Sequence, residues 1–279
     1  MTIKAFRHKF NESLASVYPT VEIDSLFFQL MEHVQNIDRA EIILNINSEL
    51  DLDVQNKVIQ FMYRLEKKEP IQYIIGQTIF AGIPINLNRH VLIPRPETES
   101  LVYWIKSREP DDLAILDICS GSGCIAFALE NHINARVTAW DISNEALTIA
   151  KQTAVSIGSN VSFSQVDILK QFQIQDRWDI IVSNPPYIKT RVIRNLESDV
   201  SEFEPFNALD GGNDGLDVIK KVIYKSREIL KIKGLLALEI GNEQNKEVSK
   251  ILKKNSFRIK YTVKDYKDNV RCLISSREN

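Results

Sequence analysis

Leu116-Asp117-Ile118-Cys119-Ser120-Gly121-Ser122-Gly123-Cys124-Ile125-Ala126 is the stretch on which the fold turns. An apolar run, 114–118, ends in an acid, passes through a turn of small residues and opens a helix. Such a turn lets ligand atoms approach the backbone closely. Gly121-x-Gly123-x-x-Ala126 also matches the dinucleotide fingerprint, so the glycines alone leave the ligand open. Downstream, strand-like runs at 137–140, 161–164, 180–183 and 235–240 alternate with helical segments, the rhythm of a doubly wound parallel sheet. The last two runs, 258–263 and 270–275, are joined too tightly for a crossover helix and are expected to pair as an antiparallel hairpin at or near the sheet edge.

Upstream the pattern differs. Residues 1–78 read as short helices, with Ile23, Phe27, Leu30, Met31 and Val34 at helical spacing and Asp24 and Asp38 as expected N-caps. This part carries eight Lys and Arg against eleven Asp and Glu, so it lacks a nucleic-acid signature and reads plainly as a packing module. Short apolar runs broken by Gly82, Pro84 and Asn88-Arg89-His90 suggest a hairpin and linker. In Pro94-Arg95-Pro96-Glu97-Thr98-Glu99 the prolines disfavour a helix until Glu97, after which 100–105 is expected to be helical. The expected divisions are a helical bundle over 1–78, a hairpin linker over 79–97 and a sheet domain over 98–279. A chain of 279 residues with 44% hydrophobic residues can build two cores.

A net charge of −2 lacks the positive balance of a protein held mainly by phosphates, so direct nucleic-acid binding is not expected. The three cysteines, Cys119, Cys124 and Cys272, have no zinc-ligand spacing and read as reduced thiols; no metal is expected. The basic start is followed by no apolar run, and no uncharged stretch reaches membrane-spanning length. A cytoplasmic monomer without a membrane anchor is the expectation.

Asp141 ends the second strand run, where its two oxygens can accept from both hydroxyls of a ribose, which suits NAD and S-adenosyl-L-methionine equally. Asp117 helps to separate them, because an acid beside the turn suits a methionine ammonium and opposes a pyrophosphate. Its plainer role is to cap the turn. Asp167 follows the third run, where an acid can accept from an adenine amino group while Ile168 packs on the ring; an N-cap is the commoner role for such an Asp.

Asn184-Pro185-Pro186-Tyr187 follows the fourth run and so falls on the ligand side of the sheet. Two prolines donate no backbone hydrogen bonds, which leaves carbonyls and the Asn184 amide oxygen facing a substrate. An NH2 group needs two acceptors, here the Asn184 side-chain oxygen and the Pro185 carbonyl, with Tyr187 as a flat wall. Held this way, a planar nitrogen presents its lone pair to a methyl donor, and the gain is orientation and electrostatics without a strong base.

Together with Pro70-Ile71-Gln72-Tyr73-Ile74-Ile75-Gly76, the 93–99 segment, Phe203-Glu204-Pro205, Ala208-Leu209 and Glu239-Ile240-Gly241, these motifs resemble the peptide chain release factor glutamine N5-methyltransferases, the PrmC/HemK family, over nearly the whole chain. The resemblance implies an α/β class I S-adenosylmethionine-dependent methyltransferase fold, with a mostly parallel seven-stranded sheet and an antiparallel C-terminal hairpin, and a small all-α N-terminal domain that binds the partner. It implies cofactor contacts at Ser120, Gly121, Ser122, Gly123, Asp141, Ile168 and Asn184, to which Asp117, Cys119 and Asp167 are added as expected neighbours, and substrate contacts at Asn184, Pro185, Pro186 and Tyr187. The implied substrate is the glutamine of the Gly-Gly-Gln loop in release factors 1 and 2, with S-adenosyl-L-homocysteine as the product. Cys119 stands where many members have glycine, and Ile168 where some have tryptophan, which offers more ring area. Residues 189–214 suit a cover over the site or an ordinary surface loop. Alternatives are a nucleobase amino-methyltransferase, an NAD-dependent dehydrogenase and a silent binding scaffold; no basic channel for base flipping is evident.

Overall fold

The apolar spacing of the N-terminal part resolves into five helices in the computed structural model, which describes residues 1–108, 112–171, 176–265 and 267–278. They are α1 (Ile3–Leu14), α2 (Thr20–Gln35), α3 (Arg39–Leu44), α4 (Leu52–Glu66) and α5 (Ile71–Ile75). Phe6, Phe10, Phe27, Met31, Val58 and Leu65 form their common core, with the Phe10 and Phe27 rings edge to face at 5.4 Å. Burying each such ring contributes about 2–3 kcal/mol, so a bundle this short depends on its aromatic centre. Asp38 caps α3, accepting from the Glu41 amide at 2.8 Å. Asp24 is not a cap: it lies inside α2, which starts at Thr20 behind the fixed φ of Pro19. Its carboxylate instead accepts from Arg7 Nε at 3.0 Å and Asn11 Nδ2 at 3.1 Å, tying α1 to α2, and the Arg7 guanidinium lowers its pKa.

By its contacts the chain divides into two units, Met1–Gly76 and Gln77–Asn279. The second begins with a hairpin of β1 (Gln77–Phe80) and β2 (Ile83–Asn86), closed by Ala81 and Gly82, both at positive φ as a tight hairpin turn demands. The hairpin is anchored within this unit, since the Ala81 amide donates to Glu99 and the Asn86 amide to Thr153 Oγ1. α6 (Pro96–Lys106) starts at Pro96, one residue before Glu97, because a proline at the first helical position lacks only an amide hydrogen that the helix does not use.

From there strands and helices alternate: β3 (Ala114–Ile118), α7 (Cys124–Ile133), β4 (Arg136–Asp141), α8 (Asn144–Ile157), β5 (Ser162–Gln165) and β6 (Trp178–Ser183). Three short helices follow, α9 (Thr190–Ile193), α10 (Ser198–Phe203) and α11 (Phe206–Leu209). Next come α12 (Asp217–Ile229), β7 (Leu230–Glu239), α13 (Asn245–Lys254), β8 (Phe257–Lys264) and β9 (Val270–Arg277). The seven strands β3 to β9 form one sheet in the order β5-β4-β3-β6-β7-β9-β8, parallel except that β9 is antiparallel to both of its neighbours. Leu116, Ile118, Ile181, Leu236 and Leu238 turn one face toward Ile219, Val222 and Ile223 of α12 and Val248 and Leu252 of α13. α6, α7 and α8 lie on the other face. The chain winds outward in opposite directions from β3 and β6, so a crevice opens between the carboxyl ends of these neighbouring strands. Ile118 pairs with Ser183, and therefore the 119–123 turn and the 184–187 segment leave the sheet side by side.

Candidate active site

The turn after β3 is shaped by its backbone. Cys119 takes a left-handed φ of 62°, a conformation that costs a residue with a side chain about 1–2 kcal/mol and explains why glycine suits this position. The Ser120 amide donates to the Trp140 carbonyl at 3.0 Å, locking the turn to the end of β4. At Gly123, with φ 80°, a Cβ would stand 2.7 Å from Phe127 Cε2, so a side chain there collides with the helix it starts. Asp141 accepts from the Gly121 amide at 2.7 Å and from the Ser143 amide at 2.9 Å, one bond to each oxygen, which leaves each oxygen able to accept again. Burial raises its pKa and these amides oppose the rise.

Beneath the turn Asp117 is 0% exposed, and both of its carboxylate oxygens lack a hydrogen-bond partner, as does Ser120 Oγ. Burial pushes the Asp117 carboxyl up to about 7; the Ser120 hydroxyl and the Ala126 amide oppose the rise and the nearby Asp141 adds to it. Unpartnered buried acceptors are costly, and here they fit a cation that the protein itself does not supply. Burial also raises the Cys119 and Cys124 thiols, so neither is a thiolate nucleophile.

Beside this turn, Ser183 Oγ donates to the Ile118 carbonyl at 2.6 Å and sets the start of the Asn184 segment. Asn184 Nδ2 donates to Thr98 Oγ1 at 3.3 Å, and the Thr98 hydroxyl donates to Glu239 Oε2 at 2.7 Å. Tyr187 is fixed from behind: Gln244 Nε2 donates to its carbonyl at 3.1 Å and to that of Gly215 at 3.0 Å. A Cβ at Gly215, whose φ is 75°, would stand 2.5 Å from the Tyr187 carbonyl oxygen, so the close approach requires glycine. Arg271 Nη2 donates to the Tyr187 hydroxyl at 3.3 Å. Burial leads a rise in the phenol's pKa.

A cavity of about 490 Å³ joins the two segments. Cys119, Ser120, Gly121, Ser122, Asp141, Asp167, Ile168, Asn184 and Pro186 line it. Asp117, Gly123, Pro185 and Tyr187 are not among its lining residues, though each is next in sequence to one that is. Asp167 accepts from the Leu169 amide at 3.0 Å and so closes a turn; among the described residues between β5 and β6 no helix follows for it to cap. Residues 189–214 also belong to this site, because Pro205, Asn207, Ala208 and Asp210 face the cavity. That segment is pinned by Arg95 Nη2, which donates to both oxygens of Glu204 at 2.7 Å. Sequence reasoning assigned no role to Thr98, Glu239, Arg271, Arg95 or Gln244. The one visible signal was Glu239, an acid in an otherwise apolar strand run, which demands a buried partner.

A switch-point crevice, a glycine turn over a buried acid, a second acid at the end of β4 and an antiparallel strand next to the sheet edge define a class I S-adenosylmethionine-dependent methyltransferase. Residues 97–198 match the family model "Methyltransferase small domain" and residues 10–76 match "PrmC N-terminal domain". A protein of Flavobacterium psychrophilum named "Release factor glutamine methyltransferase" is 36% identical over 280 residues, covering 98% of each chain. One of the same name from Bacteroides thetaiotaomicron is 35% identical over 95% of this chain and 97% of its own. The chain belongs to the release factor glutamine methyltransferase family. Among solved structures, a methyltransferase from Pyrococcus furiosus aligns with TM-score 0.56 at 18% identity, over 80% of this chain and all but 1% of its own, and shares the fold. Among the described residues no helix is long and apolar enough to cross a membrane.

Proposed function

We propose that this enzyme methylates the N5 amide nitrogen of the glutamine in the Gly-Gly-Gln motif of release factors 1 and 2. The observation that carries the reading is the single cavity running from the Ser120-Gly121-Ser122 turn and Asp141 to Asn184 and Pro186. In it Asp117 and the turn attract the methionine ammonium, the remaining lone pairs of Asp141 take the ribose hydroxyls, and Asp167 with Ile168 holds the adenine. Cys119 and Gly123 give the turn its path. Bound there, S-adenosyl-L-methionine supplies a sulfonium-activated methyl group and leaves as S-adenosyl-L-homocysteine.

The chain's own residues do the rest. Asn184 turns its Nδ2 toward Thr98, and no described residue donates to its Oδ1, which is left to accept one hydrogen of the glutamine NH2. The Pro185 carbonyl takes the other, Pro186 and Tyr187 wall the planar amide, and the nitrogen lone pair is aimed along the methyl–sulfur axis. The N–CH3 bond forms as the S–CH3 bond breaks, and the proton, acidified by methylation, leaves to water. The N-terminal bundle binds the release factor in this reading. Incubating the protein with methyl-labelled cofactor and release factor 1, release factor 2 or nucleic acid, followed by mass spectrometry of the labelled peptide, tests it. Label on the motif glutamine is expected; label confined to nucleic acid overturns the reading.

A further inference from the structure

Asn184 presents either an acceptor or a donor to the substrate depending on which way its amide is turned, and a glutamine NH2 needs the acceptor. The Asn side chain does not settle this by itself. Thr98, 2% exposed near the start of α6, faces Asn184 with a hydroxyl that has one hydrogen and two lone pairs. That hydrogen is taken by Glu239, 1% exposed at the end of β7. We propose that Thr98 and Glu239 are positioning residues for methyl transfer: because the Glu239 carboxylate takes the Thr98 hydrogen, Thr98 shows Asn184 only a lone pair, which fixes Nδ2 inward and Oδ1 toward the substrate. This rests on the functional reading above and deepens it.

Glu239 reaches the other side of the site as well. Its Oε1 lies 3.9 Å from Arg271 Nη2, the group that donates to the Tyr187 hydroxyl. One buried carboxylate thus bears on both the acceptor and the aromatic wall. The relay needs the charge. A proton taken up by Glu239 goes to Oε2, because the Arg271 cation faces Oε1; the carboxyl then donates to Thr98, the Thr98 hydrogen is free to turn to Asn184, and the amide is favoured in the opposite orientation, NH2 against NH2. The groups around the carboxyl are Arg95, Glu97, Cys124, Tyr187, Arg271 and Cys272. Burial pushes its pKa up to about 7 against the pull of Thr98, Arg271 and Arg95, so its charge changes in the working pH range.

The experiment measures kcat at saturating cofactor from about pH 6 to 9 with a release factor as substrate, alongside cofactor affinity by calorimetry and melting temperature. Saturating cofactor removes the separate titration of Asp117 from the comparison. Wild-type kcat is expected to fall on the acid side through about pH 7. Thr98→Val, which keeps the shape and removes the hydroxyl, is expected to bind cofactor within about threefold of wild type, lose about 10- to 100-fold in kcat and lose the acid limb. Thr98→Ser recovers most of that kcat and the acid limb with it. Glu239→Gln, which keeps an acceptor but cannot titrate, removes the acid limb without needing Thr98 changed. An acid limb near pH 7 that survives in Glu239→Gln, or a kcat loss in Thr98→Val that Thr98→Ser does not recover, overturns the proposal. So does Thr98→Val with wild-type kcat. A wild type that transfers no methyl group to release factors overturns the functional reading, and this proposal falls with it.

Discussion

Replacing Asp117 with Asn should remove one buried, titrating carboxyl from the pH dependence of the cofactor-free protein's stability. The carboxyl moves from 3.8 in the unfolded chain to about 7 in the folded one, because burial, and to a lesser extent the Asp141 charge, outweigh the opposing pull of the Ser120 hydroxyl and the Ala126 amide. An acid whose folded pKa is raised binds its proton more tightly when folded. Its contribution is therefore fully favourable below pH 3.8 and is lost as pH rises, by about 1.4 kcal/mol per unit, until it levels above about 7. Between pH 5 and pH 8 the wild type should lose roughly 3 kcal/mol from this group, and the variant nothing. The buried Asn keeps a fixed, pH-independent penalty for its unpaired amide, about 1–3 kcal/mol, so the informative quantity is the change in the difference and not its absolute value. Urea unfolding of both proteins at about pH 5, 6.5 and 8 without cofactor measures it, and Glu239, which does not act on Asp117, titrates in both and cancels. Adding S-adenosyl-L-methionine should reverse the ranking at pH 8, because the ammonium stabilises the ionised form and the wild type gains more from the ligand. A stability difference that stays constant across this pH range would refute the reasoning.

Asn184→Ala should leave cofactor affinity within about threefold by calorimetry while kcat falls about 100- to 1000-fold, since one acceptor and the alignment it enforces are lost. Arg95→Ala leaves Glu204, whose side chain is 1% exposed, as a buried charge without its partner. Denaturant unfolding should show a loss of about 2–3 kcal/mol, larger at pH 8 than at pH 5, because protonation relieves a carboxyl whose pKa burial has already raised. Gly215→Ala places a Cβ against the Tyr187 carbonyl at a positive φ. It should destabilise the protein by about 2 kcal/mol and lower kcat more than it changes cofactor affinity, measured by thermal melting and steady-state kinetics.

Period and punctuation made most elements readable in advance. Residues 114–118 form β3 as expected, and 137–140, 161–164 and 180–183 differ from β4, β5 and β6 by one or two residues at the ends. β7 was the poorest case, expected over 235–240 and found over Leu230–Glu239, because Lys231, Ile232 and Lys233 are all exposed in a segment where only Leu230 pairs with Trp178. Its alternation there carries no buried face to read. Asp24 misled for a related reason: an Asp near the start of an apolar period resembles a cap, yet its partners Arg7 and Asn11 belong to another helix.

The candidate site divides along the same line. Glycine turns, strand-end acids and Asn184-Pro185-Pro186-Tyr187 are local, since each works through its own backbone geometry and donor or acceptor inventory, and so each was legible from residue type and spacing. Thr98 meets Asn184 across 86 residues and Glu239 across 141, and nothing local marks them as partners. They meet because β6 and β7 are neighbours and α6 crosses the same sheet face, an arrangement set by how the whole sheet buries its apolar sides. The chain's letters thus specified which groups can accept, donate or carry charge. Only the packed sheet determined which way the Asn184 amide faces, because hydrogen-bond direction in a dry interior is imposed by neighbours that come from distant parts of the chain.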